Sequence, residues 1–357
     1  MKKSSNLNGD FEYELLDESQ QIIDLRDKLA VLYATPFTDI LWWELRDPSL
    51  IDSGCLKLFY YEQNVLKHII LFQYAANAQK RIRIMNWQFH IILKDIQNIA
   101  HILFNEFDKL QQIIFDNIFK PEYKQLPNIT FKKTLDDVII TLPESMDDYL
   151  KSLGKKTRRH IKLKMKLVAS DFPDFKVQYV EKSDIVLEQI ENIASLNRNR
   201  MKSIRIKSYL DDKESKFLYQ YAATSGFGSL SICTIDGKMA GGYINFIIGE
   251  HVYVYVGGYD TLYGKYSMGQ LALIYTIKYC IEEKNVKYCH LLDSTHGYKM
   301  HLGGIVHDLC TLRVFRNNDI YYFFGKTKAC FNKYKQRLKE DKTIYNLYIK
   351  LKKLSYR

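Results

Sequence analysis

The chain has 357 residues, more than one domain usually holds, and this length predicts two domains. Hydrophobic residues make up 46% of it and charged residues 26%, the balance of a soluble globular protein with a sizeable core. The formal net charge of +11 indicates an anionic partner, such as a nucleotide cofactor, nucleic acid or lipid headgroups, without choosing among them.

No targeting or membrane-spanning segment is expected. The first 18 residues contain two lysines but no apolar region, unlike a secretory signal. The longest apolar stretch, Tyr243–Val256, is interrupted by Gly249, Glu250 and His251, so it is too short to span a bilayer. We therefore expect a cytoplasmic location, with peripheral contact at the inner face of the membrane as an alternative.

The cysteines are predicted to be free thiols in a reducing compartment. No two of them form a CxxC motif and none pairs with histidine at metal-ligand spacing, so we expect no metal site. The six are Cys55, Cys233, Cys280, Cys289, Cys310 and Cys330.

Residues 11–140 read as one α/β unit. Apolar side chains recur at helical spacing late in this unit and predict a helix over residues 96–119. The other predicted elements are a helix over residues 19–33, a turn at Thr35-Pro36, an aromatic segment over residues 37–45 with Trp42-Trp43, and strands over residues 56–61 and 66–74 on either side of a turn at Gln63-Asn64.

A domain boundary is predicted at Leu142–Ser145, where prolines punctuate the chain. Ser145 is suited to cap a helix that begins at Met146 and has two aspartates in its first turn. The predicted division is an N-terminal domain over residues 1–144, a second domain over residues 145–325 and a basic amphipathic helical tail over residues 326–357.

Two segments are strongly basic. Lys151–Lys166 carries eight Lys or Arg and no acid, and its interleaved apolar residues predict a helix with one packed and one solvated face. The tail has eleven basic residues against two acidic ones. The alternative to a merely solvated face is contact with a polyanionic acceptor or with anionic lipid.

The second half is predicted to be α/β (α+β), with mixed, mainly antiparallel strands flanked by helices. Asp236-Gly237 is its strongest hairpin signal. The absence of a GxGxxG motif after a strand and of a GxxxxGK[ST] motif argues against a Rossmann domain and a P-loop NTPase. Helices are predicted over residues 185–204, 213–224 and 268–284, and strands over residues 229–235, 239–248, 251–256, 286–292, 309–316 and 320–324.

Four segments of this half resemble one known group of enzymes. They are Asp148–Met165 with Lys155-Lys156-Thr157-Arg158-Arg159, Leu196–Arg200, Tyr259–Gly269, and Asp293 with Gly297-Tyr298-Lys299 and Leu302-Gly303-Gly304. In order and spacing they are similar to the CelD-type acetyltransferase branch of the GNAT superfamily, which is related to the Fem peptidoglycan aminoacyltransferases. Asn197 departs from the histidine of that pattern, and Met268 from its proline. The resemblance implies tandem GNAT-like domains and acetyl-CoA or another acyl-CoA as donor.

Gly264–Gly269 fits the phosphates of such a donor. A loop with glycine, lysine and serine leads into a helix N-terminus, whose free N–H groups and dipole attract phosphate. An ordinary helix capped by Ser267 is the alternative. The resemblance adds that two glycines open the preceding strand for the pantetheine arm. The predicted donor-binding residues are Gly257, Gly258, Tyr263, Gly264, Lys265, Ser267 and Gly269.

The acceptor is expected on the sheet. Alternation places Tyr243 and Asn245 on one face of their strand, and Tyr253 and Tyr255 on one face of the next. Antiparallel pairing is expected to bring these two faces together, either as an acceptor pocket or simply packed beneath basic helices. The resemblance adds Arg200 to the predicted acceptor-binding residues.

Acid–base chemistry is predicted where the strand over residues 286–292 ends, a usual location for catalytic groups. Asp293 or His296 would accept the proton of the amine, and Asp293 is preferred because it belongs to the resemblance. Tyr298 or Lys299 would assist the leaving thiolate or bind an anionic acceptor. The stretch that begins at Asp293 also reads as a helix cap.

The resemblance, taken together with these patterns, implies three functions. The first is an acyl-CoA-dependent N-acyltransferase acting on a small-molecule or glycan amine, such as an amino sugar of cell-envelope or polysaccharide biosynthesis. The second is a Fem-like transferase that takes its acyl group from aminoacyl-tRNA, the one case in which nucleic acid is a partner. The third is a non-catalytic GNAT-like scaffold that binds membrane or glycan.

Overall fold

One continuous sheet organises the computed structural model, which describes residues 2–5, 11–16, 24–47, 55–74, 80–122, 128–293 and 297–316. Its strands in these ranges are β1 (Lys2–Ser5), β2 (Phe11–Leu16), β3 (Leu56–Glu62), β4 (Val65–Gln73), β5 (Arg81–Ile84), β6 (Gln112–Phe119), β7 (Ile129–Thr141), β8 (Lys176–Glu181), β9 (Gly228–Ile235), β10 (Lys238–Ile248), β11 (His251–Tyr259), β12 (Tyr288–His290) and β13 (Ile305–Phe315). They lie side by side in the order β1-β2-β3-β4-β5-β6-β13-β7-β12-β11-β10-β9-β8.

Helices flank this sheet on both faces. They are α1 (Leu25–Tyr33), α2 (Ile40–Arg46), α3 (Leu93–Glu106), α4 (Met146–Ser152), α5 (Lys155–Asp171), α6 (Leu187–Ser203), α7 (Asp212–Thr224), α8 (Met268–Glu282) and α9 (Gly297–His301). In the second half, α4 and α8 pack with Val252 and Val254 on one face. Helices α6 and α7 pack with Ile244 and Phe246 on the other. The predicted cap of α4 is confirmed, because Ser145 Oγ accepts a hydrogen bond from Asp148 N at 3.1 Å.

The first half contains antiparallel strands followed by one parallel pair. Strands β3 and β4 form the predicted hairpin, and β5 pairs antiparallel with β4 but parallel with β6, which it reaches through α3. The predicted helix over residues 96–119 is wrong in its second part, since α3 ends at Glu106 and Gln112–Phe119 form a strand. Strand β6 is buried on both faces, so it reads as a continuous apolar run that periodicity does not separate from a helix.

The second half repeats the same arrangement. Strands β9, β10 and β11 are antiparallel neighbours, and β11 is parallel to β12, which it reaches through α8. The predicted turn at Asp236-Gly237 is confirmed, with φ of 51° and 71° at its two positions. The predicted end of the third strand at Val256 is wrong, because β11 continues through Gly257 and Gly258 to Tyr259.

Pairing between strands on either side of the predicted domain boundary joins the two halves. Strand β7, from the first predicted domain, pairs with β12 and β13, and β13 also pairs with β6. The strand β13 therefore lies between two strands of the first half. The division at residue 144 stays a prediction, and the two halves share one sheet.

An aromatic cluster and an ion pair hold α1 and α2 against the second half. The indole of Trp42 is buried and contacts the rings of Phe217, Tyr221, Phe246 and Tyr255 edge-on. Beside it, Arg26 donates from Nε and Nη2 to the two carboxylate oxygens of Asp39, at 2.8 and 2.7 Å, and Tyr221 also donates to Asp39. The aromatic segment of the sequence thus serves as the contact between the halves.

Several sequence predictions lie outside the described residues: His296, the strand over residues 320–324, the tail over residues 326–357 and Cys330. The cysteines within the described ranges are free and buried; they are Cys55, Cys233, Cys280, Cys289 and Cys310. In those same ranges no helix combines the length and apolarity needed to cross a membrane.

Candidate active site

The parallel strands β11 and β12 separate after three residue pairs. The last pair is Tyr253 with His290. Beyond this pair, the segment that follows β12 remains hydrogen-bonded to β7, because Leu291 N donates to Val138 O at 2.8 Å. Strand β11 continues to Tyr259 without a partner on the β12 side in the described part of the chain. Residues 254–259 of β11 therefore lack a strand partner on this side among the described residues. We call this segment the β11 edge.

Lys299 holds the β12 side of this opening in place. Its ammonium group is buried and donates to the carbonyl oxygens of Leu291, Leu292 and Asp293 at 2.7, 3.1 and 2.7 Å. Burial lowers the pKa of Lys299 to about 8, although Asp137 and Asp293 act in the opposite direction. Because three backbone acceptors surround the ammonium group, the structure places Lys299 in support of the strand end.

Two glycines allow other groups to approach the β11 edge closely. A Cβ at Gly257 would overlap the ring of Tyr243. A Cβ at Gly258 would lie 2.7 Å from Asn197 N and 2.9 Å from Leu196 Cβ on α6. The bulge itself is at Tyr255, since Ile244 faces Val256 while the next residue of β10 already faces Val254. The two glycines thus permit Tyr243 and helix α6 to pack closely against β11, whereas the β-bulge lies before them at Tyr255.

Asn197 connects α6 to the β11 edge. Its buried carboxamide donates to Gly257 O at 2.7 Å and accepts from Ser208 Oγ at 2.9 Å. The side-chain amide of asparagine supplies both this donor and this acceptor. A neutral histidine ring would supply them at the same two positions in only one of its two tautomers. The residue that departs from the histidine of the family pattern is therefore a positioning group for the strand.

A cation and three phenols gather next to Gly257. Arg200, one turn beyond Asn197, lies over the ring of Tyr259 at 5.2 Å. Burial raises the pKa of Tyr243 and of Tyr298, and in both cases the charge of Arg200 opposes the shift. Among the described residues, no carboxylate forms an ion pair with Arg200. The site thus combines a free positive charge with phenols that stay protonated at neutral pH.

The N-terminus of α8 borders the same opening. Tyr243 Oη donates to Gly269 O at 3.2 Å, and a Cβ at Gly269 would lie 2.5 Å from the ring of Tyr259. Ser267 precedes the helix with φ of 57°, and its side chain makes no cap. Its carbonyl accepts from Gln270 N and Leu271 N, which leaves the N–H groups of Met268 and Gly269 without an acceptor in the part of the chain that the structure describes.

Helix α5 lies along the predicted phosphate loop, Gly264–Gly269, which leads into α8 and which we call the α8 loop. Lys164 Nζ donates to Lys265 O at 2.6 Å, and His160 Nε2 lies 3.5 Å from Ser267 Oγ. Asp171, about two turns further along the helix, accepts from Tyr266 Oη at 2.7 Å and pairs with Lys265 at 3.4 Å. One stripe of the basic helix therefore faces the predicted phosphate loop, which sequence reasoning missed because the two segments are about a hundred residues apart.

The remaining donor-loop residues have modest roles. Tyr263 packs its ring against Phe172 of the α5 C-terminus at 5.6 Å. Gly264 has open space where a side chain would lie, and its carbonyl accepts from Ser267 N. Lys265 is 69% exposed, so its ammonium group is accessible to an anion.

The expected pocket between two polar-aromatic faces is wrong. The register pairs Phe246 with Tyr253 and Asn245 with Val254, which places Asn245 and Tyr253 on opposite faces of the sheet. Tyr253 and Tyr255 belong to the aromatic contact with α2, where Tyr253 stacks on His290 at 4.2 Å. Asn245 is buried, and its Oδ1 has no donor among the described residues.

The predicted acid–base residues are separated by the structure. Asp293 is exposed at the end of β12, and its carboxylate accepts from Asp136 N of β7 at 3.3 Å. His296 lies outside the described residues. Tyr298 is 42% exposed and lies on α9 near Arg200, so it is the predicted catalytic residue that the structure brings to the β11 edge.

Comparison with known proteins agrees with this arrangement. Residues 155–300 match the family model of the acetyltransferase (GNAT) domain. The crystal structure of FemX superposes with a TM-score of 0.63 at 11% sequence identity, covering 87% of this chain and 99% of that one. A conserved protein of unknown function from Bacteroides thetaiotaomicron superposes with a TM-score of 0.52 at 13% identity, covering 83% and 99%. No curated protein matches this sequence.

The fold and the matched domain define the class of protein. At such identities the two superpositions show a shared fold, and the family match adds a GNAT-type acetyltransferase domain in the second half. The predicted fold class is confirmed. Residues 155–300 are thus similar to a GNAT-type acetyltransferase domain, and they lie on one large mixed sheet flanked by helices.

Proposed function

We propose that the protein is an N-acyltransferase that moves an acyl group, in the simplest case acetyl, from acyl-CoA to a primary amine. The observation that carries this proposal is the unpartnered β11 edge beside the N-terminus of α8. A strand edge offers backbone groups to the amide-containing pantetheine arm, and a helix N-terminus favours phosphate. The matched acetyltransferase domain includes both features.

The donor's phosphates would bind where α8 begins. The N–H groups of Met268 and Gly269 supply donors, and Ser267 leaves them uncapped. Lys265 adds an exposed charge, and Lys164 supplies a second cation from α5. The residues present therefore fit a pyrophosphate, because unused donors and positive charge coincide at one loop.

The chemistry would take place at the β11 edge, next to Gly257. Transfer to an amine requires removal of one amine proton and stabilisation of the negative charge on the thioester oxygen. Arg200 supplies positive charge without a carboxylate partner in the described part of the chain. Tyr298, whose pKa is raised by burial, keeps its proton at neutral pH and would give it to the leaving thiolate. Asp293 and His296 remain the proposed acceptors of the amine proton.

The acceptor is proposed to be an amino sugar or another amine of cell-envelope or polysaccharide biosynthesis, by resemblance to the CelD-type branch. Tyr243 and Arg200 are its proposed contacts, since both lie beside Gly257. We place the reaction in the cytoplasm, with the protein free or at the inner membrane surface.

A second candidate donor is aminoacyl-tRNA. The observation that favours it is the basic surface of α5, where Lys162 and Lys166 are exposed and lie about half a helical turn around the axis from Lys164. In that case the cations of α5 would bind RNA phosphates, and binding would weaken steeply with salt.

Titration calorimetry with acetyl-CoA and with desulfo-CoA tests the first proposal. We expect saturable binding of both by the parent protein. The double variant Lys164→Gln/Lys265→Gln should weaken binding about tenfold or more, because it removes both cations of the phosphate loop. The matched control Lys162→Gln/Lys166→Gln removes the same charge from the far side of α5 and should bind as the parent does.

Three outcomes would contradict the proposal or a part of it. If the parent binds neither ligand but binds aminoacyl-tRNA, the second candidate donor replaces the first. If both double variants lose affinity equally, the phosphates are not held at the α8 loop. Acetyl-CoA binding without turnover over a panel of amines would favour the non-catalytic scaffold.

A further inference from the structure

The segment that connects α6 to α7 forms a basic surface that the proposed function leaves unused. An open cavity of about 410 Å³ lies between this segment and the end of α6. Its lining consists of four cations, one apolar residue and one hydroxyl: Arg198, Lys202, Arg205, Lys207, Ile206 and Ser208. We call the surface formed by these six residues together with Ile204 and Tyr209 the basic loop.

The four cations of the basic loop have no carboxylate partner among the described residues. Arg198 donates to the backbone carbonyl of Leu210 at 2.9 Å, which fixes its guanidinium group at the cavity wall. Like charges held around one cavity repel one another, and an anion between them removes that cost. The cavity therefore fits one or more phosphate groups.

Large apolar side chains are exposed in the same loop. Ile204 is 50% exposed, Ile206 is 55% exposed and Tyr209 is 57% exposed. They alternate along the chain with Lys202, Arg205 and Lys207, so cations and apolar groups share one surface. A soluble phosphate ester would satisfy the cations but would leave the isoleucines in water. An anionic bilayer satisfies both, because headgroups bind the cations while apolar side chains enter the acyl boundary.

We propose that the basic loop docks the protein onto a membrane surface rich in anionic phospholipid. The rival basic surface is α5, which exposes a single large apolar residue, Leu163, and directs one stripe of its side chains to the α8 loop. The alternation of cations and apolar groups therefore favours the basic loop over the helix that sequence alone suggests.

Docking in this way would bring the candidate active site to the headgroup level. Ser208 of the basic loop binds Asn197, which binds Gly257 of the β11 edge, so two hydrogen bonds join the docking surface to the site. The identity of the acceptor rests on the proposed acyl transfer. If that transfer takes place, its amine acceptor is carried by a lipid or lies at the bilayer surface. The docking itself requires no acyl-CoA.

Co-sedimentation of the full chain with vesicles tests the docking. Phosphatidylcholine vesicles with about 30% phosphatidylglycerol should bind the parent, and pure phosphatidylcholine vesicles should bind much more weakly. The variant Lys202→Gln/Arg205→Gln should lower partitioning about 25-fold, at roughly fivefold for each charge removed near the surface. The variant Ile204→Ser/Ile206→Ser should lower it about tenfold without any change in charge.

Lys162→Gln/Lys166→Gln on α5 is the matched control for charge and should reduce partitioning less than threefold. Failure of the parent to bind anionic vesicles overturns the proposal, as does an α5 control that loses as much binding as the loop variant. If inorganic pyrophosphate displaces the protein and the isoleucine variant binds normally, the cavity serves a soluble phosphate ester instead. Calorimetry with acetyl-CoA on the same variants should be unchanged, which separates failure of docking from failure of the proposed acyl transfer.

Discussion

Replacement of Gly258 by alanine tests whether the close approach of α6 to the β11 edge builds the site. The added Cβ would lie 2.7 Å from Asn197 N and 2.9 Å from Leu196 Cβ, and closer still to Ile193 O. These atoms belong to the helix backbone or its first side-chain carbon, so no side-chain rotation relieves the overlap. Helix α6 would have to move by roughly 1 Å to restore ordinary contact distances.

The cost has two parts. Overpacking against an unyielding neighbour costs about 1–3 kcal/mol. Movement of α6 also breaks the hydrogen bond from Asn197 to Gly257 O and leaves two buried polar atoms unpaired, which costs about 1–3 kcal/mol more. We therefore expect Gly258→Ala to lower the free energy of unfolding by about 2–6 kcal/mol, which for a chain of 357 residues corresponds to a fall of roughly 3–8 °C in the thermal midpoint.

Thermal unfolding followed by circular dichroism measures this effect, with Gly264→Ala as the control. A Cβ at Gly264 meets no atom within 4 Å and the residue does not have positive φ, so its midpoint should stay within about 1 °C of the parent. Acetyl-CoA affinity should fall with Gly258→Ala and not with Gly264→Ala. Equal midpoints for the two variants would refute the packing argument.

Three further predictions concern titratable groups at and near the opening. Tyr298→Phe should lower kcat about tenfold to a hundredfold with little change in donor affinity. Because burial raises the pKa of Tyr298 above its usual 10, the parent should keep its activity as the pH is raised to 9. A fall in the parent's activity as the pH rises toward 9 would contradict this role. The pKa of Lys299 is about 8 in the folded protein and near 10.5 in the unfolded chain. Between pH 8 and 10.5 the unfolded chain therefore binds one proton more than the folded protein, and the free energy of unfolding rises with pH over this range. Denaturant titrations should show the parent gaining up to roughly 3 kcal/mol relative to Lys299→Met between pH 8 and 10.5. Burial and His290 lower the pKa of His251 to about 4, so stability should fall as the pH drops from 6.5 to 4, and His251→Gln should flatten that dependence. An unchanged slope in His251→Gln would show that another group titrates there.

Much of the fold follows from local rules that act within a few residues. The cap at Ser145 and the turns at Gln63-Asn64 and Asp236-Gly237 were predicted because positive φ and first-turn N–H groups require particular side chains. The donor loop at Gly264–Gly269 was predicted for the same kind of reason. Its role as a phosphate site stays a prediction, and the structure adds that Ser267 makes no cap.

What sequence reasoning missed depends on contacts between distant segments. Strand β6 reads as helix because it is buried on both faces, and the strands that pair with it are β5 and β13, of which β13 lies almost two hundred residues later in the chain. The bulge at Tyr255 defeats an alternation argument, since one extra residue changes which side chains of β10 and β11 face each other. Lys299 was predicted to be catalytic from its position after a strand, and only the fold shows the three carbonyl groups around it.

The repeated arrangement of the two halves explains why the chemistry is assigned to the second. Each half has a parallel pair joined by a helix. In the first half, all four residues of β5, Arg81–Ile84, pair with β6, so the parallel pair ends without an open edge. In the second half only three of the nine residues of β11 pair with β12, and the other six run on past the point of separation. A substrate with amide groups can add to such an edge, and it cannot add to a strand that is paired along its whole length. The difference in strand length between β5 and β11 therefore separates a supporting unit from the unit with the candidate site.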